Sequence, residues 1–185
     1  MSMFLDRVGV VFQDFVRFEL MARENIAFGD ITKVQDDDAL WKAVEAGGAK
    51  YVVEKLPKGM DTYLGRWYEC EGGEMSGGEW QRIAVSRAHI SNRDILIMDE
   101  PAAALDPIAE MEQFSRIKNS LSDRTSILIS HRIGFARLAD KIVVLQNGKM
   151  VEYGSHEELM ENKNVYYDMF TNQASWYQKE VSSHE

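Results

Sequence analysis

Apolar and polar positions change period several times along the chain, and each change marks an element. Residues 8–12 are almost entirely apolar and β-branched, the pattern of a short buried strand. Asp36-Asp37-Asp38 precedes a helical run over 39–44. Acidic residues there complement the positive end of a helix, and Gly47-Gly48 stops it. A short helix is expected over 49–56, and residues 57–74 are glycine-rich and irregular. Helical spacing resumes at Ser76 and runs to about Ile90. The period then shortens. Residues 94–98 read as a buried strand, and 107–121 as a helix with Ile108, Met111, Phe114 and Ile117 on one face. Residues 125–129 read as a strand, 133–139 as a short helix and 141–145 as a strand. Asn147-Gly148 is a strong hairpin signal, with residues 150–153 as the return strand. Ser155 and Glu158 form a capping box, and an aromatic-rich helix over 165–177 is expected to pack on the body. Strands alternating with helices from Ile95 onward predict a parallel α/β sheet, and residues 20–90 a mostly helical part.

Composition narrows the class. With 185 residues the chain is near one domain, long enough to bury roughly 70% of its unfolded surface. Lys and Arg number 21 against 30 Asp and Glu, a net charge of −9. No basic excess exists to neutralise phosphates, which argues against non-specific binding to nucleic acid or anionic lipid. The lone Cys70 can form no internal disulfide, which fits a reducing compartment. No apolar run approaches the roughly 18 residues of a membrane span. The first six residues lack the features of a signal peptide.

Four segments can carry chemistry. Ile95-Leu96-Ile97-Met98 ends in Asp99-Glu100, two carboxylates at the carboxyl end of a predicted strand. Open α/β sheets bind ligands at that end. One carboxylate suits a hydrated Mg²⁺ and the other can orient a water. The bland alternative is two acids ending a strand in solvent. Met75-Ser76-Gly77-Gly78-Glu79 opens a helix. Ser76 and Glu79 fit a capping box, yet two adjacent glycines are costly in a helix unless backbone must approach something closely. Bare N–H groups at that end suit a phosphate. His131 follows a strand and could touch a phosphate, or be an ordinary loop residue. Gln13, after the first strand, carries the weakest signal alone.

The order changes the reading. Gln13, "MSGGEWQR", "DILIMDEPAAALDP" and "ISHR" follow one another, with Gln13, Ser76, Asp99 and His131 separated by 63, 23 and 32 residues. This arrangement resembles the ATP-binding cassette (ABC) ATPases over residues 8–160. Gln13 matches the Q-loop glutamine. Ser76, Gly77, Gly78 and Glu79 match the signature, with Met75 and Glu79 in place of the commoner Leu and Gln. Asp99 matches the Walker B aspartate, Glu100 the catalytic glutamate, Asp106 the D-loop aspartate and His131 the switch histidine. "RENIAFGD" and "GKMVEYGSHEELM" resemble exporter-type members.

The resemblance implies a P-loop NTPase-like α/β fold with a helical signature subdomain. Residues 1–19 would carry the Q-loop strand and 20–90 the helical subdomain. Residues 91–162 would form the α/β core and 163–185 a C-terminal helix and tail. It also implies two ATP molecules, each with Mg²⁺, sandwiched between two such domains head to tail. Asp99, with Gln13, would hold Mg²⁺; Glu100 and His131 would act on the γ-phosphate side. Ser76, Gly78 and Asp106 would complete the opposite site. A transmembrane domain would be the other partner. The chain would sit on the cytoplasmic face through that partner, with no nucleic acid involved.

One family part is missing from these residues. No G-x-x-x-x-G-K-[ST] loop occurs; the one Gly-Lys pair, Gly148-Lys149, is followed by Met150 in a hairpin. Only 12 residues precede Gln13. The expectation is therefore a C-terminal portion of a longer domain, with the first strands and phosphate loop lying before Met1. The resemblance places the absent strand beside the Walker B strand, so its neighbours would expose apolar surface. Two alternatives stand beside this. A partial subunit would lend its signature and D-loop to a partner's ATP. A chromosome-maintenance or DNA-repair ATPase head would share the motifs, but 63 residues leave no room for its coiled coils.

Overall fold

The computed structural model describes residues 7–65, 72–91, 93–120 and 124–182; of the side chains at 107, 108, 135 and 174–182 nothing is described. The start at residues 1–6, Cys70 and the expected helix end at Leu121 lie outside this range. The chain forms two compact units, Met1–Ile129 and Ser130–Glu185.

In the first unit, strands β1 (Val8–Val11), β2 (Ile95–Asp99) and β3 (Thr125–Ile129) form one parallel sheet in the order β1-β2-β3. Parallel neighbours need long crossovers. Helices α1 (Ala22–Ala27), α2 (Asp37–Ala46), α3 (Lys50–Glu54) and α4 (Gly77–Ile90) lie between β1 and β2, and α5 (Pro107–Ser120) between β2 and β3. The register pairs Val10 with Ile97 and Ile97 with Ile127. One sheet face is covered: Val11, Leu96, Met98 and Leu128 pack with Ala84, Val85 and Ala88 of α4 and Ile117 of α5. On the other face Val10, Ile127 and Ile129 remain 43%, 49% and 50% exposed.

Two expectations change here. The strand over 8–12 is not buried throughout: Val11 is inside, while Val10 and Phe12 are exposed. A period of two puts alternate residues on opposite faces, and only one face is covered. Nor is a place left open beside the Walker B strand. Both long edges of β2 are paired, with β1 and with β3, so the free edges belong to those two strands.

Helix α4 is the spine of this unit. Trp80, Ile83 and Ile90 join a helical cluster with Ile26, Leu40, Val44, Val53 and Leu64. Ala84, Val85 and Ala88 join the sheet cluster. A helix apolar on both sides must be buried on both sides. The expected helix over 39–44 forms as α2. Asp36 caps it by accepting from the Ala39 N–H at 3.0 Å, and Gly48, at φ +72°, follows its end.

The apolar stripe expected on α5 holds at Phe114 and Ile117 but not at Met111, and the side chain at 108 lies outside the described residues. Met111 is 47% exposed, and the buried face is Glu110, Gln113, Phe114 and Ile117. Gln113 accepts from Arg82 Nη1 at 3.0 Å and donates to the Gly47 carbonyl at 2.9 Å. That face therefore meets polar groups on α4 and after α2. The stripe 108, 111, 114, 117 steps by three and drifts around a 3.6-residue helix, whereas 110, 113, 114, 117 does not.

The second unit holds a 3₁₀ turn (Ile133–Leu138), strands β4 (Ile142–Gln146) and β5 (Lys149–Gly154), and helices α6 (His156–Asn162) and α7 (Val165–Ser182). The strands from Ile95 onward thus do not make one parallel sheet: β4 and β5 pair antiparallel. A two-residue turn can join only antiparallel strands. Asn147 and Gly148 form it with φ of 51° and 73°. Ile142, Val144, Leu159 and Tyr166 make this unit's core.

Candidate functional site

The carboxyl end of the parallel sheet gathers the acidic residues. Asp99 is the last residue of β2 and Glu100 the next; both are half-buried. Val11 pairs with Met98 and Asp99 with Ile129, so β1 and β3 end level with them. Gln13, exposed, leaves β1 at that same end. Glu100 has φ +49°, a left-handed conformation that costs a non-glycine residue about 1 kcal/mol. Its N–H donates to the Ile129 carbonyl at 2.9 Å, and its carbonyl accepts from the Ala103 N–H at 3.2 Å. These two bonds hold the chain in a sharp turn straight off the strand.

The residues that match the signature open α4. Ser76 and Glu79 form the capping box: Ser76 N–H donates to Glu79 Oε2 at 2.8 Å, and Ser76 Oγ accepts from Glu79 N–H at 3.3 Å. The two glycines differ. A Cβ on Gly78 would meet Leu105 Cδ2 at 2.9 Å and the Ala104 carbonyl oxygen at 3.2 Å. A Cβ on Gly77 would meet nothing nearer than Ala104 Cβ at 3.8 Å. Gly78 thus lies in close contact with the 100–106 loop, where a side chain would require Leu105 and the Ala104 carbonyl to give, and Gly77 does not. Asp106 closes that loop, exposed, with Oδ1 accepting from the Ala109 N–H at 3.0 Å at the start of α5.

The first unit therefore brings together Gln13, Asp99 and Glu100 at the sheet end, and Ser76, Gly77, Gly78, Glu79 and Asp106 where α4 meets the 100–106 loop. His131 belongs to the second unit. It is exposed, and its carbonyl accepts from Gln173 Nε2 at 3.1 Å.

Three supporting side chains escaped the sequence reading. Gln81 donates through Nε2 to the Glu100 carbonyl at 2.8 Å and accepts at Oε1 from the Ala104 N–H at 2.9 Å. It lies three residues past Gly78, on the helix face that the loop approaches, and that spacing was the available signal. Arg82, buried, reaches the Gly48 carbonyl and Gln113. Arg87 donates to the carbonyls of Val16 and Asn25 and to Asn25 Oδ1, binding α4 to the segment after Gln13. Burial pushes the Arg87 guanidinium down to about 10. Burial, with Arg124 adding repulsion, pushes the His89 imidazole down to about 4.

The family model described as ABC transporter matches residues 1–103. The subtilin transport ATP-binding protein of Bacillus subtilis is 38% identical over 169 residues, 91% of this chain and 27% of that protein. The ATP-dependent lipid A-core flippase of Alcanivorax borkumensis is 35% identical over 165 residues, 89% of this chain and 28% of that protein. The solved structure of a bacterial Atm1-family ABC exporter with ATP bound superimposes with a TM-score of 0.79 at 31% identity, covering 94% of this chain and 30% of that one. The chain thus spans under a third of the length of these relatives. With the motif order, the parallel core and the family model in agreement, the chain belongs to the ABC transporter family and resembles the ATP-binding part of its exporters.

Proposed function

We propose that the chain supplies the signature, Walker B, D-loop and switch-histidine part of an export-type ABC ATPase. In this reading, ATP hydrolysis drives movement of a substrate through a transmembrane partner, with this part held on the cytoplasmic face. Residues 20–90 are then the signature part and 91–162 the carboxylate part. The observation that supports it most is the pair Asp99-Glu100 at the carboxyl end of the central parallel strand, where the chain enters the loop that packs on the signature helix. Two subunits would meet head to tail. Ser76 and Gly78 would close on the γ-phosphate of the partner's ATP, Asp106 would line the same boundary, and Gly77 and Glu79 would complete the helix end that faces it.

The donors fit Mg²⁺. Asp99 and Gln13 offer hard oxygen atoms at one sheet end, and this ion is ordinarily held by one or two carboxylates plus waters and substrate phosphates. Among the described residues no three His, Cys, Asp or Glu side chains gather into a cage. When bound, the ion would neutralise phosphate charge. The chain's own groups do the rest. Asp99 holds its carboxylate at the strand end. Glu100 would polarise the attacking water from the turn that follows the strand. His131 donates to the γ-phosphate, and Gln13 links the site to the membrane partner. Phosphoryl transfer depends on such placement and charge more than on covalent chemistry.

The 185 residues contain no phosphate-binding loop, whose backbone and lysine supply much of the phosphate affinity. Glu100 then has no firmly held phosphate beside it, and the purified chain alone is expected to show only background ATPase. Turnover by the chain alone that Glu100→Gln abolishes would overturn this reading. A second reading keeps the same residues but treats the chain as a non-catalytic donor of signature and D-loop. The packing of Gly78 on Ala104 and Leu105, which joins those two elements, favours giving it weight.

A further inference from the structure

We infer that Gln81 is a positioning residue that makes the first turn of α4 and the 100–106 loop a single body. Gln81 is 3% exposed. Both ends of its amide are engaged by backbone: Nε2–H to the Glu100 carbonyl at 2.8 Å and Oε1 from the Ala104 N–H at 2.9 Å. The loop between these points is a tight double turn. The Ala103 N–H reaches the Glu100 carbonyl, and the Leu105 N–H reaches the Ala102 carbonyl at 3.0 Å. The Ala104 N–H falls out of that pattern and is satisfied by the side chain instead. Gly78 lies beside the same loop, with the Ala104 carbonyl oxygen 3.2 Å from where a Cβ would stand.

The consequence is mechanical. Ser76 and Gly78 sit at one end of the clamp; Asp106 lies two residues past Ala104, at the other. The buried group is the Gln81 amide itself, so parting the clamp would cost free energy by leaving that amide without its two partners. Movement of α4 therefore carries the loop with it, and the spacing between the two elements offered to a partner's ATP stays fixed. This step rests on the functional reading above.

Two measurements separate the clamp from that reading. The first uses the chain alone and needs no nucleotide: amide hydrogen exchange of Gln81→Leu, which removes both bonds and retains bulk. Exchange at Ala104 should rise at least tenfold, with the amides of Ile83 to Ala88 unchanged. An unchanged rate at Ala104 overturns the clamp. The second mixes the chain with an exporter-type ATPase domain that keeps its phosphate loop but has an inactivated signature. Gln81→Leu should lower kcat about tenfold at unchanged KM for ATP. No fall, or a fall confined to KM, overturns the positioning role. Gln81→Glu guards against misfolding. It keeps the acceptor for Ala104, so that amide stays protected, but loses the donor to Glu100. Its kcat should be low at neutral pH and recover relative to wild type on acidification, when the protonated carboxyl can donate; a profile parallel to wild type contradicts the role. If the wild-type mixture itself is inactive, the functional reading fails, and exchange at Ala104 still decides the clamp.

Discussion

Gly77 and Gly78 are neighbours with different reasons to be glycine. Gly78 lies close to the Ala104 carbonyl and Leu105, so a methyl group there would crowd them. Gly77 has space for a methyl. Gly77→Ala should leave thermal stability unchanged or raise it by up to about 1 kcal/mol, by helix propensity and reduced unfolded-state freedom. It should nonetheless depress turnover in the mixed assay, if the bare backbone there is reserved for a phosphate outside the chain; unaltered turnover would assign Gly77 to neither role. His89 gives a pH dependence. Its folded value is about 4, below the ordinary 6.5. On acidification the unfolded chain takes up the proton first, so this contribution is full above about pH 6.5 and is lost as pH falls toward 4. Up to about 3 kcal/mol is at stake. Urea unfolding at pH 7 and pH 4.5 should show the loss in wild type and a flatter profile in His89→Gln. At this scale the sequence disclosed residue types but not partners. Asp99 and Glu100 were legible as a pair because they directly follow an apolar run. Gln81 was not, because its partners lie 19 and 23 residues away and are backbone atoms.

Elements whose signals are local were legible. The Ser76–Glu79 and Ser155–Glu158 boxes and the Asn147-Gly148 turn all form as read, because each needs only residues within one turn of chain. α5 was misjudged on one face. What Gln113 meets, the Gly47 carbonyl, is 66 residues distant, and no local period encodes it. The covering of β1 on one face was equally hidden, since it depends on where α4 lies. The box at Ser76 allows two roles of one side chain to be parted. Ser76→Ala removes the cap and should cost the first unit about 1 kcal/mol in urea unfolding. Ser76→Asp keeps a capping oxygen and should hold stability within about 0.5 kcal/mol of wild type. It also places a negative charge where the functional reading puts a phosphate, so it should fail in the mixed assay. A stability loss in Ser76→Asp as large as in Ser76→Ala would mean that the hydroxyl does more than cap.

At the scale of the whole molecule, one face of the parallel sheet presents exposed apolar side chains among the described residues. Parallel sheets are ordinarily covered on both sides. Here Val10, Ile97 and Ile127 stand in one row across three strands, with Ile127 and Ile129 about half exposed. Such a face promotes association. The purified chain should sediment as more than a monomer, and Ile127→Lys should shift it toward monomer without loss of helix content. A monomeric wild-type chain would contradict this. The overall α/β character and the motif order were readable from 185 residues because each motif sits at the end of a regular element. The antiparallel hairpin at β4 and β5 was legible in its Asn147-Gly148 turn, though the alternation of strands and helices did not show that it stands apart from the parallel sheet. The most direct test of the central claim is ATP turnover by this chain mixed with an exporter-type ATPase domain that retains its phosphate loop but lacks a working signature. The expected result is no turnover from either alone, turnover from the mixture, and its loss with Ser76→Asp. A mixture that stays inactive, or turnover indifferent to Ser76, would contradict the claim that these residues complete a partner's ATP site.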